Sequence, residues 1–248
     1  VAMPGMTDAH VHMGCLFAKG EFPVDYATVL TVAKCKDALM AGFTTFRDAG
    51  SVSEGLKLAF DEGVLPGPRI YPCGAYISQT CGHGDSEYAH TYRDIQYRHP
   101  SSTVLVDGVP EIIRAVREQF YRGASHIKLM ATEILNRHED IRLLFGTDMM
   151  ITGPDYQVEQ SEDIRYYEKR FGTMRALRAL TGTANEVFAL TTYQNPYPKG
   201  KIGVLEAGSY ADLLLVDGDP TKSVLVLADT DHLRLIMKGG TVYKNTLC

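Results

Sequence analysis

The sequence has few of the features that mark disulfide-rich, membrane-spanning or nucleic-acid-binding proteins. Its five cysteines are widely spread and include no CxxC pair, which argues against a disulfide scaffold and against a cysteine zinc site. It contains no run of about 18 apolar residues, so we expect no membrane-spanning helix. The formal net charge of −5 gives no signature of a polyanion-binding surface, so we expect no nucleic-acid partner.

The chain starts with Val1 rather than methionine. We therefore expect that it begins inside a longer protein, which leaves open whether a signal peptide precedes it. The cytoplasm is the favoured compartment. The 248 residues suffice for one large domain or for one domain with a small companion.

The first 150 residues alternate strand patterns with helix patterns. Strands are predicted at 5–13, 43–50, 69–78, 126–132 and 141–148, and helices at 25–41, 53–63 and 109–124. Such alternation predicts an α/β fold with a parallel sheet, open or closed. Polar residues gather where the strands end, namely His10, His12, Asp48, Lys128 and Asp148. The carboxyl ends of the strands are where α/β barrels hold their active sites.

The tail of the chain has a different pattern. A helix is expected at about 171–190, and segments 201–219 and 233–245 are typical of strands with glycine turns and no helix between them. We therefore predict a barrel-type domain over 1–195 and a small separate β unit over 196–248.

The connection between the fourth and fifth predicted strands is too short. Only eight residues, "EILNRHED", separate Thr132 from Ile141, whereas a parallel crossover needs about a dozen or more. Five strands also cannot close an eight-stranded barrel. We infer that a segment on the order of 90 residues, three βα units, is absent near Glu133 and Ile134. The alternative is an open five-stranded sheet with one tight connection.

Several stretches, taken in order, resemble the amidohydrolase superfamily of metal-dependent hydrolases. They are "PGMTDAHVHMG", "GFTTFRDAG", "EGVLPGPRIY", "ISQTCGHGD", "GASHIKLMAT", "FGTD" and, in the tail, "KIGVLEAGSYADLLLVDGDP" and "IMKGGTVYKN". The resemblance implies a (β/α)8 TIM barrel, here incomplete with strands 5–7 missing, and a C-terminal β-sandwich segment. The most similar branch lies near imidazolonepropionase and contains Xaa-Pro dipeptidases, Xaa-Arg or Xaa-Lys carboxypeptidases and ochratoxin-hydrolysing amidases.

Four residues carry the chemistry that the resemblance implies. His10 and His12 lie two apart on a strand, so both side chains share one face and can share one zinc ion; alone, they could be polar residues at a strand end. By resemblance, Lys128 forms a carbamate that bridges two metal ions, and the alternative is an ion pair with Asp48 or Asp148. Asp148 is expected as a metal ligand and proton shuttle, with a helix N-cap or turn as the alternative.

Two further residues are expected to bind substrate. His83, between two glycines, is assigned by resemblance to substrate orientation or oxyanion stabilisation, and the alternative is a polar loop without such a role. Tyr76 is a weaker candidate because a tyrosine at this position is more often packed in the core. His126 is expected to pack in the barrel, and Asp8 to support the ligands or to bond backbone groups.

These observations predict a metal-dependent amidohydrolase that cleaves a peptide or N-acyl amino-acid amide bond by a metal-bound hydroxide. The complete protein is expected to hold two zinc ions per active site, to act on a small-molecule or dipeptide-like substrate without a membrane partner, and to form a homo-oligomer. The histidines expected to bind the second metal are missing, since only His138 lies between Lys128 and Asp148. Two alternatives stay open: a cyclic-amide hydrolase, and a truncated inactive relative that acts as a binding or assembly module.

Overall fold

The computed structural model describes residues 1–13, 24–50, 54–82, 84–85, 103–129, 142–150 and 156–247. The strands are β1 (Ala2–Pro4), β2 (Met6–His12), β3 (Phe43–Asp48), β4 (Arg69–Tyr71), β5 (Tyr76–Ser78), β6 (Thr103–Leu105), β7 (Met149–Met150), β8 (Leu213–Val216), β9 (Leu233–Lys238) and β10 (Thr241–Asn245). The helices are α1 (Val24–Met40), α2 (Glu54–Asp61), α3 (Val109–Tyr121), α4 (Tyr156–Phe171), α5 (Thr173–Leu180) and α6 (Gly182–Phe188). Within these ranges, no helix combines the length and the apolar character needed to cross a bilayer.

The parallel strands form one four-stranded and one two-stranded sheet. One sheet has the order β4-β3-β2-β7, and β5 pairs in parallel with β6. Leu129 forms a parallel bridge with Ile77 of β5, which adds the fourth predicted strand beside the third. Because β7 lies beside β2, the last parallel strand is a neighbour of the first, as in a closed barrel. This arrangement brings Asp148, immediately before β7, next to the histidines of β2.

Two predicted strands differ in extent from the observed ones. The strand expected at 69–78 is interrupted between β4 and β5, where Pro72 lacks an N–H and Gly74 adopts a φ of +69°. At 141–148 the described residues 142–148 make backbone hydrogen bonds to β2 only at Phe145 and Asp148, and the strand itself begins at Met149. Conversely, β6 lies in a region where no strand was predicted. The proposed missing segment near 133 and 134 falls outside the described residues and stays a prediction.

The C-terminal sheet is antiparallel and has the order β1-β8-β9-β10. Its edge strand β1 comes from the other end of the chain, because Ala2 pairs with Leu215. Gly239 and Gly240, with φ of +56° and +83°, join β9 to β10 in a tight hairpin. The predicted strand at 201–219 shrinks to β8. This is the one antiparallel sheet in the described part of the chain, which holds no second such sheet to form a sandwich with it. The sandwich and the domain boundary at 195/196 therefore stay predictions.

The helical region before the tail is longer than predicted. Where one helix was expected at about 171–190, the structure has α5 and α6, and α4 precedes them from Tyr156 onward. Breaks at Gly172, with a φ of +80°, and at Thr181 separate the three helices. The sequence of α4 is mostly polar, and its fully buried positions Tyr156, Gln160 and Ile164 recur only every fourth residue. This narrow stripe gives a weak periodic signal.

A single apolar core joins the two sheets. Phe43, Phe145 and Tyr156 pack together beneath the parallel strands, with ring centroids 5.6 Å apart for the two phenylalanines and 5.4 Å for Phe43 and Tyr156. Leu214 and Leu233 of the C-terminal sheet belong to the same buried cluster. The C-terminal sheet therefore supports the parallel strands directly.

Charged side chains also connect the two sheets, at a contact we call the sheet–barrel junction. Arg69 of β4 forms an ion pair with Asp212, which precedes β8, and both side chains are buried. The other carboxylate oxygen of Asp212 accepts a hydrogen bond from the Gly239 N–H at 2.8 Å. Lys238 of β9 donates to the backbone carbonyl of Gly67. The junction is defined here by Arg69, Asp212 and Lys238.

Candidate metal centre

His10 and His12, at the carboxyl end of β2, lie next to Asp148, which directly precedes β7. The Nε2 atoms of His10 and His12 each lie 3.2 Å from Oδ1 of Asp148. One potential ligand atom from each residue lies within 4.8 Å of the other two. His12 is buried, whereas the Asp148 side chain is 75% exposed and reaches the solvent. The hydrogen bonds from His10 and His12 hold the pKa of Asp148 well below its usual range.

The backbone around Asp148 brings its strand unusually close to β2. The Asp148 N–H donates to the His10 carbonyl at 2.8 Å, and Asp148 has a φ of +56°, a conformation rare outside glycine. A methyl group on Gly146 would lie 2.7 Å from Cβ of His10. Glycine at position 146 thus permits the approach that places Asp148 against the histidines.

Lys128 completes the group of four residues predicted from the sequence. Its Nζ lies 3.2 Å from Nε2 of His10, and its side chain is about half buried. Burial lowers the pKa of Lys128, and the nearby Asp148 carboxylate opposes this effect. A lowered pKa favours the neutral amine, which is the form that can react with CO₂.

The His10 Nε2 atom has two neighbours that make opposite demands. A neutral imidazole nitrogen either donates or accepts a hydrogen bond. If Nε2 carries the proton, it donates to Asp148 and cannot accept from Lys128; if it does not, it accepts from Lys128 but faces the Asp148 carboxylate. A cation would use the nitrogen lone pair and the carboxylate oxygen together.

The spacing also fits a shared ion. Two ligand atoms bound at about 2.1 Å to a tetrahedral Zn²⁺ lie roughly 3.4 Å apart. The separations of 3.2 Å between Asp148 Oδ1 and the two Nε2 atoms are close to this value. Both the donor chemistry and the distances therefore suit a metal held by His10, His12 and Asp148.

Asp8 supplies no ligand atom to this group, but it is hydrogen-bonded both to His10 on β2 and to Thr147 beside Asp148. Its fully buried carboxylate accepts hydrogen bonds from the His10 N–H, from the N–H and hydroxyl of Thr147, and from the Tyr156 hydroxyl. Burial raises the pKa of Asp8 from 3.8 to about 7, although these hydrogen bonds act in the opposite direction. Of the two expected roles, Asp8 bonds backbone groups at the strand end and also reaches α4.

His126 lies beside the centre in a fixed orientation. Its Nε2 lies 3.0 Å from the carbonyl oxygen of Asp48, and its Nδ1 lies 3.0 Å from Oγ of Ser125. Since a carbonyl only accepts, Nε2 is the protonated nitrogen and Nδ1 accepts from the hydroxyl. Burial lowers the pKa of His126 to about 3, so the ring is neutral. These contacts agree with the packing role expected for His126.

The structure places Tyr76 beside His12, with the ring centroids 6.5 Å apart and edge-on. Tyr76 is 1% exposed, and methyl groups on Gly50 or Gly84 would lie within 3.0 Å of its ring. This burial favours packing behind His12, and the assignment of Tyr76 to substrate binding stays a prediction. His83 lies outside the described residues, so its assignment is likewise a prediction.

Sequence reasoning missed three contributors to the centre. Gly146 and Thr147 precede Asp148 in "FGTD", where a small residue and a hydroxyl residue before an aspartate could have indicated a tight turn. Tyr156 gave no usable signal, because its helix was not predicted.

Comparisons with known proteins agree with this geometry. Residues 1–141 match the model of the amidohydrolase family. Ochratoxinase from Aspergillus niger is 34% identical over 152 residues, which cover 53% of this chain and 31% of the ochratoxinase chain. The chain thus spans about a third of the length of the curated relative that it matches.

Solved structures have the same fold. A crystal structure of an amidohydrolase superposes with a TM-score of 0.82 at 22% identity and covers 100% of this chain and 87% of its own. A prolidase complexed with N-methylphosphonate-L-proline has a TM-score of 0.75 at 20% identity, with coverages of 98% and 87%. The fold is therefore a TIM-barrel-like α/β fold.

Proposed function

Because the chain belongs to the amidohydrolase family, we propose that it is a metal-dependent hydrolase that cleaves a peptide or N-acyl amino-acid amide bond. The observation that carries this proposal is the convergence of His10, His12 and Asp148 on one point, with Lys128 3.2 Å from His10. These residues come from three separate segments of the chain: the end of β2, the residue before β7 and the residue before the Leu129 bridge.

His10, His12 and Asp148 would hold the first metal ion, for which we propose zinc. A divalent cation bound there supplies Lewis acidity and lowers the pKa of a coordinated water. We propose that Lys128, as a carbamate, contributes to a second site in the complete protein. Its lowered pKa and its position beside His10 support that assignment.

Asp148 is suited to move protons during hydrolysis. Its side chain is largely exposed, and its pKa lies well below its usual range, so it is ionised near neutral pH. We propose that its carboxylate accepts the proton of the attacking water and delivers it to the leaving amine. The buried His12 contacts the same carboxylate oxygen as His10, with its Nε2 3.2 Å from Oδ1 of Asp148.

The proposed substrate is a small amide with an amino-acid leaving group. The similar prolidase structure contains a proline derivative, and the matching relative is named ochratoxinase. His83 and Tyr76 are the proposed substrate-binding residues. We also propose a homo-oligomer, by family resemblance alone.

Metal analysis combined with hydrolysis assays tests this function. The purified chain should bind Zn²⁺, hydrolyse Xaa-Pro dipeptides or N-acyl amino acids, lose activity on chelation and regain it when Zn²⁺ returns. His12→Ala should abolish both metal binding and hydrolysis, whereas His232→Ala, at the histidine directly before β9, should change neither. A chain that folds but binds no metal would contradict the proposal and favour a binding or assembly module. Hydrolysis of cyclic amides in place of dipeptides would favour the imidazolonepropionase-like alternative.

A further inference from the structure

One buried carboxylate connects the two halves of the candidate metal centre. Asp8 is 0% exposed, and its Oδ1 accepts the backbone N–H of His10 and the backbone N–H of Thr147, each at 3.2 Å. His10 is one of the two proposed ligands on β2, and Thr147 directly precedes the proposed ligand Asp148. A single oxygen thus bonds the backbone at both sides of the centre.

The second oxygen of Asp8 holds the turn that contains Asp148. The Thr147 hydroxyl donates to Oδ2 of Asp8 at 2.7 Å and accepts the Met149 N–H at 3.2 Å. Asp148 therefore lies between two residues that are bonded to each other through this hydroxyl. Its φ of +56° is rarely adopted outside glycine, so the turn needs such support.

Tyr156 fixes Asp8 from the helical layer. Its hydroxyl donates to Oδ2 of Asp8 at 2.9 Å, and the residue is 1% exposed at the start of α4. Its ring packs against Phe43 and Phe46, with centroid distances of 5.4 and 5.9 Å. The apolar packing leaves the hydroxyl little freedom, so it holds the carboxylate oxygen in one place.

We propose that Asp8, Thr147 and Tyr156 form a positioning triad that sets the spacing between His10 and Asp148 and thereby the affinity and geometry of the metal centre. This inference rests on the proposed function of that centre. The three residues act through His10 and Asp148 and touch neither the metal nor the substrate. Groups that hydrogen-bond around metal ligands typically change metal affinity ten- to a hundred-fold when they are removed.

Two substitutions remove the hydroxyls with little change of shape. Tyr156→Phe deletes the bond from α4 to Asp8, and Thr147→Val deletes both bonds of the threonine hydroxyl. Tyr197→Phe is the matched control, because it deletes a buried tyrosine hydroxyl that donates to Oδ1 of Asp61 at 2.9 Å and not to Asp8. Thr45→Val is the second control, since the buried Thr45 hydroxyl has no hydrogen-bond partner in the described part of the chain.

Titration of the full chain with Co²⁺, followed by visible absorption, tests the triad. We expect Tyr156→Phe and Thr147→Val to raise the Co²⁺ dissociation constant about ten- to a hundred-fold and to shift the absorption band. The two controls should bind Co²⁺ like the wild type, and Thr147→Ser, which keeps a hydroxyl, should restore the affinity.

The outcomes separate this inference from the proposed function. If the wild-type chain does not bind Co²⁺, the metal-dependent function itself fails. If the wild type binds Co²⁺ and both hydroxyl-deleting variants bind it equally well with an unchanged spectrum, the triad is overturned and the function stands. Equal weakening in Tyr197→Phe would also overturn it, because the effect would then follow from general destabilisation. Should Thr147→Val fail to fold, Tyr156→Phe still decides.

Discussion

The candidate metal centre and the sheet–barrel junction are both clusters of charged side chains, but they differ in burial and in pairing. At the junction, the Arg69 and Asp212 side chains are 6% and 2% exposed, and both oxygens of Asp212 accept hydrogen bonds. At the centre, the Asp148 side chain is 75% exposed, and the backbone of Asp148 has a φ of +56°, which is rare outside glycine. His10 faces a donor and an acceptor at the same nitrogen.

The comparison indicates that the charged residues of the junction stabilise the fold, whereas those of the centre are arranged for a ligand. A buried network is stable only when its polar groups are paired, and the junction meets that condition. At the centre, by contrast, Nε2 of His10 cannot satisfy both Lys128 and Asp148 at once. Such local conflicts are typical of functional sites. We therefore expect substitutions at the centre to change function more than stability, and substitutions at the junction to do the reverse.

The largest expected effect is on catalysis, from Asp148→Asn. The substitution keeps the shape but removes the charge and the proton acceptor, so kcat/KM should fall roughly 10²–10⁴-fold. The thermal midpoint should stay near that of the wild type, because asparagine also tolerates positive φ. Steady-state kinetics and thermal unfolding measure both. Asp217→Asn is the control, since that carboxylate is similarly exposed at 70% but lies in the tail. A large loss of stability without loss of turnover would reverse the comparison.

At the junction, Asp212→Ala should lower the free energy of unfolding by about 3–5 kcal/mol. It leaves the buried Arg69 guanidinium without its carboxylate, which is the costly way to break a buried ion pair. Urea denaturation measures the change. Asp217→Ala, whose partner Arg234 lies 3.8 Å away at the surface, should cost about 1 kcal/mol or less. The protein that remains folded should keep its kcat. Comparable costs for the two variants would remove the distinction between the two clusters.

The junction should also make stability depend on pH through Lys238. Burial lowers the pKa of Lys238 from 10.5 to about 8. Between these values the unfolded chain binds more protons than the native protein, so the lysine's contribution to stability rises with pH across this window. Below pH 8 its unfavourable contribution is fully present. Relative to Lys238→Met, the wild type should gain on the order of 3 kcal/mol between pH 8 and 10.5.

Urea denaturation of the wild type and Lys238→Met at several pH values measures this difference. Lys201→Met, at an exposed lysine paired with Glu206, is the control and should show no such slope. Parallel pH profiles for the wild type and Lys238→Met would show that Lys238 is not destabilised by its burial.

The smallest expected effect combines both properties. Gly146→Ala places a methyl group 2.7 Å from Cβ of His10 and should cost about 1–3 kcal/mol of stability, as overpacking does. The forced separation of His10 and Asp148 should also weaken Zn²⁺ binding, which calorimetric titration measures. Gly55→Ala on α2 is the control, because nothing lies within 4 Å of its added methyl group. Unchanged Zn²⁺ affinity would show that the close approach at Gly146 serves packing alone.

The sequence was sufficient to predict which residues meet at the candidate centre, because parallel strands end at one edge of a sheet. His10, His12, Lys128 and Asp148 all follow strand patterns, and the carboxyl ends of such strands meet in space. The family was predicted from the resemblance of motifs taken in order, and it is confirmed. Local pattern therefore predicted which residues approach each other.

The sequence was not sufficient to predict the hydrogen bonds that hold these residues in position. The hydrogen bonds from Thr147 to Asp8 join residues 139 positions apart, and no periodic pattern reports such a pairing. Tyr156 lies on a helix whose polar sequence hides its buried stripe. The positive φ of Asp148 is imposed by tertiary bonds, so residue preference alone did not predict it.

The strand that carries His10 and His12 also has a consequence for the order of folding. Gly5 alone separates β1 from β2, yet Ala2 pairs with Leu215, and Val11 pairs with Met149. At a synthesis rate of about 5–20 residues per second, the partner of Ala2 leaves the ribosome roughly 10–40 s after Ala2 itself. Until then, β1 lacks its partner strand β8. Similarly, His10 and His12 lack their neighbour Asp148 until the segment before β7 has been synthesised. Such distant pairings slow folding, so refolding in milliseconds to seconds or slower is expected.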